Sequence, residues 1–355
     1  MRIISSCKMG SGTFEAKFIP LSKLSNVEKI YVLRERVGPA IEKLEYIIIP
    51  NYINRFKAFK FLIPLVLAKH AIKNRCNLII GYHIIPHAFF AFFASMLSGI
   101  PFACAQTGIF IQSQSKNKGF GFFLKWMFRK ALFINVPGQV SKSFWTDFGV
   151  DPQKINTLHS TIDTNRFYNK NLGKDFDFII LSRLSEEKRI EYLLKIFSEL
   201  KNEGHTFSVC IAGAGPRKDY LESLAKDLDI DAIVNFIGFV NNPEEWFNKS
   251  KIFLLSSQTE GFPTALMQAM ACELLCISTN VGNISDTIES GINGFLINYG
   301  DWFTYKETLN TILNNFNSEE ISVISTRARE SVVLYHSYDF AMQQWNNVFS
   351  QYFSS

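Results

Sequence analysis

Glu260 stands directly ahead of Gly-Phe-Pro in the stretch TEGFPTALMQAM, and an amide, Gln268, follows eight residues later on what the spacing predicts to be a helix. The apolar run IFLLSS just before it reads as a strand, so Glu260 sits at a strand's carboxyl end. A carboxylate there accepts hydrogen bonds from hydroxyl groups, Gly261 allows close backbone approach, and Pro263 fixes the first helical turn. N–H groups near Thr264 are then open to phosphate. A ligand that needs both is a sugar joined to phosphate. Gln268, on the helix face that looks back towards the loop, comes within reach of a ribose.

Cations stand at a second strand end. After FIILS come Arg183 and, five residues later, Lys188 at the expected start of a helix, so two positive charges and free backbone amides converge as a diphosphate requires. Taken alone, the two also fit an ordinary solvated loop. After VCIAG, the loop from Gly213 to Pro216 lets backbone approach a ligand, but it is no dinucleotide fingerprint, because the third glycine position is Lys218. Gly238, Phe239 and Val240 follow a third strand, where a planar base can lie against backbone. Elsewhere, His83 and His87 are four apart with Pro86 between them, which leaves open a shared metal, an acceptor-site histidine or simple packing. The DLDID segment, with Asp227, Asp229 and Asp231, reads as a polar loop, and no Ser-His-Asp, P-loop or kinase pattern is present.

The elements that position these residues alternate almost throughout. RIISS, EKIYVLR, LEYIIIP, NLIIGY and PFACAQ read as strands in the first part, with helices from about Thr13 to Leu24 and from Pro86 to about Leu97. FDFIILS, FSVCIAG, AIVNFIG, KIFLLSS, LLCISTN and GFLIN follow in the second, each trailed by a helical stretch, including ISDTIESG after LLCISTN. Such alternation predicts α/β architecture with parallel, doubly wound sheets, which bind ligands at the carboxyl ends of strands. The polar run TNRFYNKNLGKD is the best linker, dividing residues 1–165 from 166–335, with residues 336–355 as a final helix.

The halves differ in charge. Residues 1–165 hold 21 Lys/Arg against 8 Asp/Glu, and residues 166–355 hold 16 against 24. No acid occurs between Glu45 and Asp147, where 12 Lys/Arg interleave with aromatic and aliphatic residues, as in NRFKAFKFLIPLVLAKHAIKNR and KNKGFGFFLKWMFRKALF. This pattern points to an anionic membrane surface rather than nucleic acid, for which no module is present. HAFFAFFASMLSGIPFACAQTGIFI is broken by Gly-Ile-Pro and Gln106 and reads as strand, helix and strand within a protein, not as a membrane span. The six cysteines are scattered, without CxxC, and read as reduced buried thiols. The opening MRIISSCKMGSG lacks the apolar core of a secretion signal, so a cytoplasmic protein is expected.

SRLSEEKRIEYLLKIF, IAGAGPRKDYLESLAKDL, FIGFV and FLLSSQTEGFPTALMQAMACELLCISTNVGNISDTIESGINGFLI together carry a resemblance from about Phe176 to Ile297. The C-terminal half is similar to the retaining nucleotide-sugar glycosyltransferases of the GT-B fold, in particular family 4. NTLHSTIDTNRF resembles the linker of that family. The resemblance implies two Rossmann-like domains facing across a cleft, the N-terminal one for the acceptor and the C-terminal one for the donor. It implies that Arg183 and Lys188 hold the donor diphosphate, Glu260 the transferred sugar, the backbone of Phe262 to Thr264 sugar and phosphate, Gln268 the ribose, and Gly238 to Val240 the base. Gly213, Gly261 and Pro263 complete that set, while Gly10 and Gly12 would approach the diphosphate or the acceptor.

Departures accompany the match. The family pattern is Glu-x7-Glu, whereas the second position here is Gln268; an amide accepts without charge, which weakens ribose binding by about 1–2 kcal/mol. CELLCIS replaces Gly-x-Pro-Val, Asn283 and Asp286 replace glycine and glutamate, and Gln106-Thr107-Gly108 stands where the family often has a histidine. The implied activity is hexosyltransferase-type, EC 2.4, acting on a glycan or lipid-linked acceptor in bacterial surface polysaccharide synthesis. It needs no cofactor and no metal, at the inner face of the plasma membrane. The alternative is a degenerate transferase that binds nucleotide sugar or a partner without turnover.

Overall fold

The computed structural model describes residues 1–55, 57–106, 118–315 and 319–353. The chain forms two compact units, Met1–Thr161 with Tyr338–Ser355, and Ile162–Ser337. Each is an α/β doubly wound domain of the kind that makes up the two-domain GT-B fold.

Seven strands build the first sheet: β1 (Arg2–Ser6), β2 (Lys29–Arg34), β3 (Leu44–Ile48), β4 (Leu78–Tyr82), β5 (Phe102–Ala105), β6 (Ile134–Val136) and β7 (Ile155–Thr157). Their order is β3-β2-β1-β4-β5-β6-β7, all parallel, and it reverses between β1 and β4. Alternate side chains serve opposite layers, as the pleat requires: Ile3, Leu78 and Ile80 enter one core and Ile4 and Ile79 the other. Helix α1 (Ser11–Lys23) covers the first layer. The other layer holds α2 (Asn51–Arg55), α3 (Ile63–Lys73), α4 (Phe89–Ser98) and α5 (Lys118–Lys130), with α6 (Gln139–Asp147) beside β7.

The second sheet has β8 (Phe176–Leu181), β9 (Val209–Ala212), β10 (Val234–Gly238), β11 (Ser250–Leu255), β12 (Leu275–Asn280) and β13 (Phe295–Asn298), ordered β10-β9-β8-β11-β12-β13. Here the order reverses between β8 and β11. Helix α7 (Ile190–Asn202) buries Ile190, Leu193, Leu194, Phe197 and Leu200 on one stripe, the periodicity of an amphipathic helix. Each such side chain stabilises the packing by about 1.5–3 kcal/mol, and Phe197→Ala would cost about 3–5 kcal/mol. Helices α8 (Lys218–Asp227), α9 (Pro243–Asn248), α10 (Thr264–Ala271), α11 (Trp302–Asn314) and α12 (Glu319–His336) complete the unit.

Several local expectations are corrected. The helix expected from Pro86 begins at Phe89, because Ile84–Ala88 forms a wider turn in which Ile85 is extended. ISDTIESG holds only the short turn Ile284–Asp286, as Asn293 bonds the Glu289 amide and the Thr287 carbonyl and folds the segment into a loop. At the ends of the second unit, Ile162 bridges Ser337 and its amide donates to the His336 carbonyl at 2.9 Å. The last helix, α13 (Tyr338–Phe353), packs on α1 and buries Trp345, Val348 and Phe349 with Phe14 and Phe18. All six cysteines are free and buried. Among the described residues no helix is long and apolar enough to cross a membrane; Thr107 and Gly108, and part of the segment weighed for a span, lie outside them.

Candidate active site

The loops that leave β8 and β11 part where the strand order reverses, and a cavity of about 600 Å³ opens there. Arg183, Lys188, Gly213, Phe239, Val240, Glu260, Phe262, Pro263, Thr264 and Gln268 all line it. Gly238 and Gly261 stand just behind the wall: the Gly238 carbonyl accepts from the Gly213 amide at 2.7 Å, and the Gly261 carbonyl from Asn283 Nδ2 at 3.0 Å. Gly12 is an exposed residue in the first turn of α1, in the other unit.

Each cation of the site already faces a carboxylate. Lys188 Nζ lies 2.6 Å from Glu260 Oε1, to which Ser257 Oγ also donates at 2.6 Å. Ser256 fixes the turn by donating to the Lys188 carbonyl at 2.8 Å. Arg183 pairs with Glu187 through Nη2 and reaches Ser185 Oγ through Nε at 3.1 Å. Burial works to raise the Glu187 pKa, but the bonds from Arg183 and Ser185 outweigh it and bring it down to about 2. The site therefore holds two preformed charge pairs that can present donors to an anion and one carboxylate oxygen, Glu260 Oε2, to hydroxyls.

Lys188 does not open a helix. Glu186–Lys188 is a tight turn, Arg189 adopts left-handed geometry at φ 53°, and α7 starts at Ile190. The amides of Lys188 and Arg189 are consumed by the Ser185 and Glu186 carbonyls, so Lys188 serves through its side chain. At α10, by contrast, backbone amides are open. Pro263 is the cap and the helix begins at Thr264, whose N–H, with that of Ala265, makes no hydrogen bond within the described residues.

Two glycines are required by close contact. A Cβ on Gly213, at φ 150°, would stand 1.8 Å from the Ser182 carbonyl oxygen; one on Gly282, at φ 64°, would stand 1.9 Å from that of Glu260. Gly282, Ser257, Ser185, Glu187 and Asn283 were not singled out by sequence as site-forming. The acid two residues after Ser185 and the glycine before Asn283 were visible, but nothing local linked them to Glu260 or Arg183. The Gln268 amide makes no hydrogen bond among the described residues and remains available to a ligand.

The other constellations resolve plainly. His83 and His87 lie 6.2 Å apart between ring centres, and His87 Nδ1 is 2.8 Å from Ser6 Oγ. Among the described residues no group of three His, Cys, Asp or Glu is arranged to hold a metal. Asp227 ends α8 and Asp229 pairs with Lys201 at 2.9 Å, as in a solvated loop.

Residues 161–330 match the family described as glycosyl transferases, group 1. An uncharacterised glycosyltransferase of Haemophilus influenzae is 32% identical over 181 residues, half of either chain. A putative colanic acid biosynthesis glycosyltransferase of Salmonella typhimurium is 28% identical over 209 residues, 56% of this chain and 50% of that one. The chain thus spans about half the length of these relatives. The crystal structure of Anabaena HepE in complex with UDP-glucose superposes with a TM-score of 0.79 at 16% identity, covering 99% of this chain and 100% of that one, a likeness of fold.

Proposed function

We propose that this chain is a glycosyltransferase that moves a sugar from a nucleoside-diphosphate sugar to a glycan or lipid-linked acceptor, with retention at the anomeric carbon. The observation that carries this reading is the gathering of Arg183, Lys188, Glu260, Thr264 and Gln268 around one cavity between β8 and β11. HepE in complex with UDP-glucose and the polysaccharide-synthesis relative support a nucleotide sugar as donor and a surface glycan as product.

As the bond between sugar and diphosphate breaks, negative charge builds on the β-phosphate. Arg183, Lys188 and the free amides at Thr264 and Ala265 would stabilise it, a contribution of about 3–4 kcal/mol per well-placed donor. Glu260, held through Oε1, would orient the sugar hydroxyls with Oε2. The departing phosphate oxygen would take the acceptor's proton, so the reaction would need neither a separate base nor a metal. The solvent sides of α3, α4 and α5 would rest on an anionic bilayer: Leu65, Ile72, Phe93, Met96, Leu97, Phe122 and Trp126 are exposed there among Lys69, Lys73, Lys125, Arg129 and Lys130.

A second reading, binding without turnover, is favoured by one observation, the amide of Gln268 in place of a carboxylate. The test of both is a screen of UDP-, GDP- and ADP-sugars for binding, followed by hydrolysis and transfer assays in the presence of EDTA. Turnover that disappears in Glu260→Ala and Arg183→Ala supports the first. Donor binding with no turnover in the native chain would establish the second.

A further inference from the structure

Arg189 holds left-handed backbone geometry, φ 53° and ψ 32°, between the Glu186–Lys188 turn and the start of α7. Glycine takes that conformation freely, whereas in any other residue the Cβ is crowded by the following carbonyl. Strain of this kind persists where the surroundings over-determine it, and here the side chain does so. Arg189 Nε and Nη2 both donate to Gln258 Oε1, at 3.1 and 2.7 Å, and Nη1 lies 3.5 Å from Glu191 Oε1 in the first turn of α7. The more exposed Glu186 stands 3.8 Å from the same nitrogen.

Three consecutive residues of the β8 loop bond to the β11 loop. The Glu187 carbonyl accepts from the Gln258 amide at 2.8 Å, the Lys188 carbonyl from Ser256 Oγ at 2.8 Å, and Arg189 donates to the Gln258 side chain. Ser257, between these partners, donates to Glu260 Oε1, and Glu260 itself is two residues past Gln258. The Lys188–Glu260 pair is therefore tied a second time through the residues beside it. Neither Arg189 nor Gln258 is among the described residues that line the donor cavity, so this tie acts from behind its wall. Gln258 is exposed, where a single contact adds little to the stability of the unit. What a rigid guanidinium fork does fix is the direction and distance of the one oxygen that two of its N–H groups share.

We infer that Arg189 is a positioning residue: its forked contact with Gln258 holds the loop that carries Glu260 in register with Lys188, and its left-handed backbone is what aims the side chain at that loop. That this register serves donor turnover rests on the proposed glycosyltransferase reading.

The test separates side chain from backbone. Arg189→Ala removes the fork and keeps the strained backbone; Arg189→Gly removes the fork and relieves the strain. With whichever of the UDP-, GDP- and ADP-sugars the native chain turns over, kcat should fall at least about tenfold in both variants while KM stays within about threefold, because a misplaced carboxylate is felt in the transition state. Arg189→Gly should nevertheless unfold at a midpoint about 2–4 °C above that of Arg189→Ala, and the midpoints show that both are folded. Gln258→Ala should reproduce the loss of kcat, and Arg189→Gly/Gln258→Ala should lose no more than either alone. Hydrogen exchange read by mass spectrometry should quicken across residues 256–262 in all three single variants. Arg75→Gly is the control: Arg75 is likewise left-handed, at φ 50°, and exposed, and its replacement should alter neither turnover nor that exchange. Native kcat in Arg189→Gly, losses that multiply in the double variant, or unchanged exchange across 256–262 would each overturn the inference. If the native chain turns over none of these donors, the glycosyltransferase reading fails, and the exchange alone decides whether Arg189 holds the loop.

Discussion

Lys188 and Glu260 meet at 2.6 Å although 72 residues separate them in the chain, and Ser257 donates to the same carboxylate oxygen. The side chains are 18% and 10% exposed, so the pair is screened by little water. Lys188→Met would leave Glu260 without its counter-charge, lowering stability by about 1–3 kcal/mol in denaturant titration. Donor turnover should fall by about a hundredfold or more. Lys188→Met/Glu260→Gln should recover part of the stability and none of the turnover; equal recovery of both would show that the pair only holds the fold.

Gly282 lies against the backbone of the same glutamate. Its left-handed φ and the 1.9 Å approach of a Cβ to the Glu260 carbonyl oxygen leave no room for alanine. Gly282→Ala should cost about 1–3 kcal/mol by thermal unfolding and weaken donor binding, because the loop that carries Glu260 must move. Gly173→Ala, where nothing lies within 4 Å, provides the neutral comparison.

Gln268→Glu would restore a charged acceptor towards the ribose. Nucleotide affinity should rise by about 1–2 kcal/mol, roughly tenfold, in isothermal titration. Unchanged affinity would mean that the ribose lies elsewhere.

The basic face of α3 and α5 predicts salt-sensitive adhesion to anionic vesicles. Replacing Lys69, Lys73, Lys125, Arg129 and Lys130 by alanine should remove about 1 kcal/mol of binding for each cation near the surface, measured by vesicle co-sedimentation. Binding that is indifferent to both the substitutions and salt would remove the argument.

His87 gives a pH signature. Its folded-state pKa of about 3 lies below the ordinary 6.5, mainly through burial and further through His83, Lys8 and Lys60. Between those values the unfolded chain binds the extra proton, so stability is unaffected above pH 6.5 and falls as pH drops towards 3, by on the order of a few kcal/mol. His87→Gln should flatten that limb in denaturation curves; an unaltered limb would show that other groups dominate it.

Much of the donor cavity was legible because each of its walls is local in sequence. A strand end followed by glycine and a helix start announces backbone approach, and Arg183, Gly213, Phe239 and Glu260 each follow such a strand. The pairings were not legible. Glu187 against Arg183 and Glu260 against Lys188 depend on which side of each loop faces inward, and the left-handed turn at Arg189 moved the start of α7 past Lys188. The loop after β12 misled for the same reason, since the Asn293 side chain supplies the hydrogen bonds that a helix would otherwise need.

Periodicity and punctuation along the chain determined that strands and helices alternate, and therefore that the sheets are parallel, because alternating crossovers leave no other pairing that buries both faces. Charge counts alone separated a basic half from an acidic one. Only the tertiary structure decided that β8 lies beside β11 and β1 beside β4, which opens a crevice in each sheet and brings residues distant in sequence to its rim. That choice belongs to the packing of whole faces, Ile179 against one layer and Phe178 and Ile180 against the other, and no short stretch of sequence contains it.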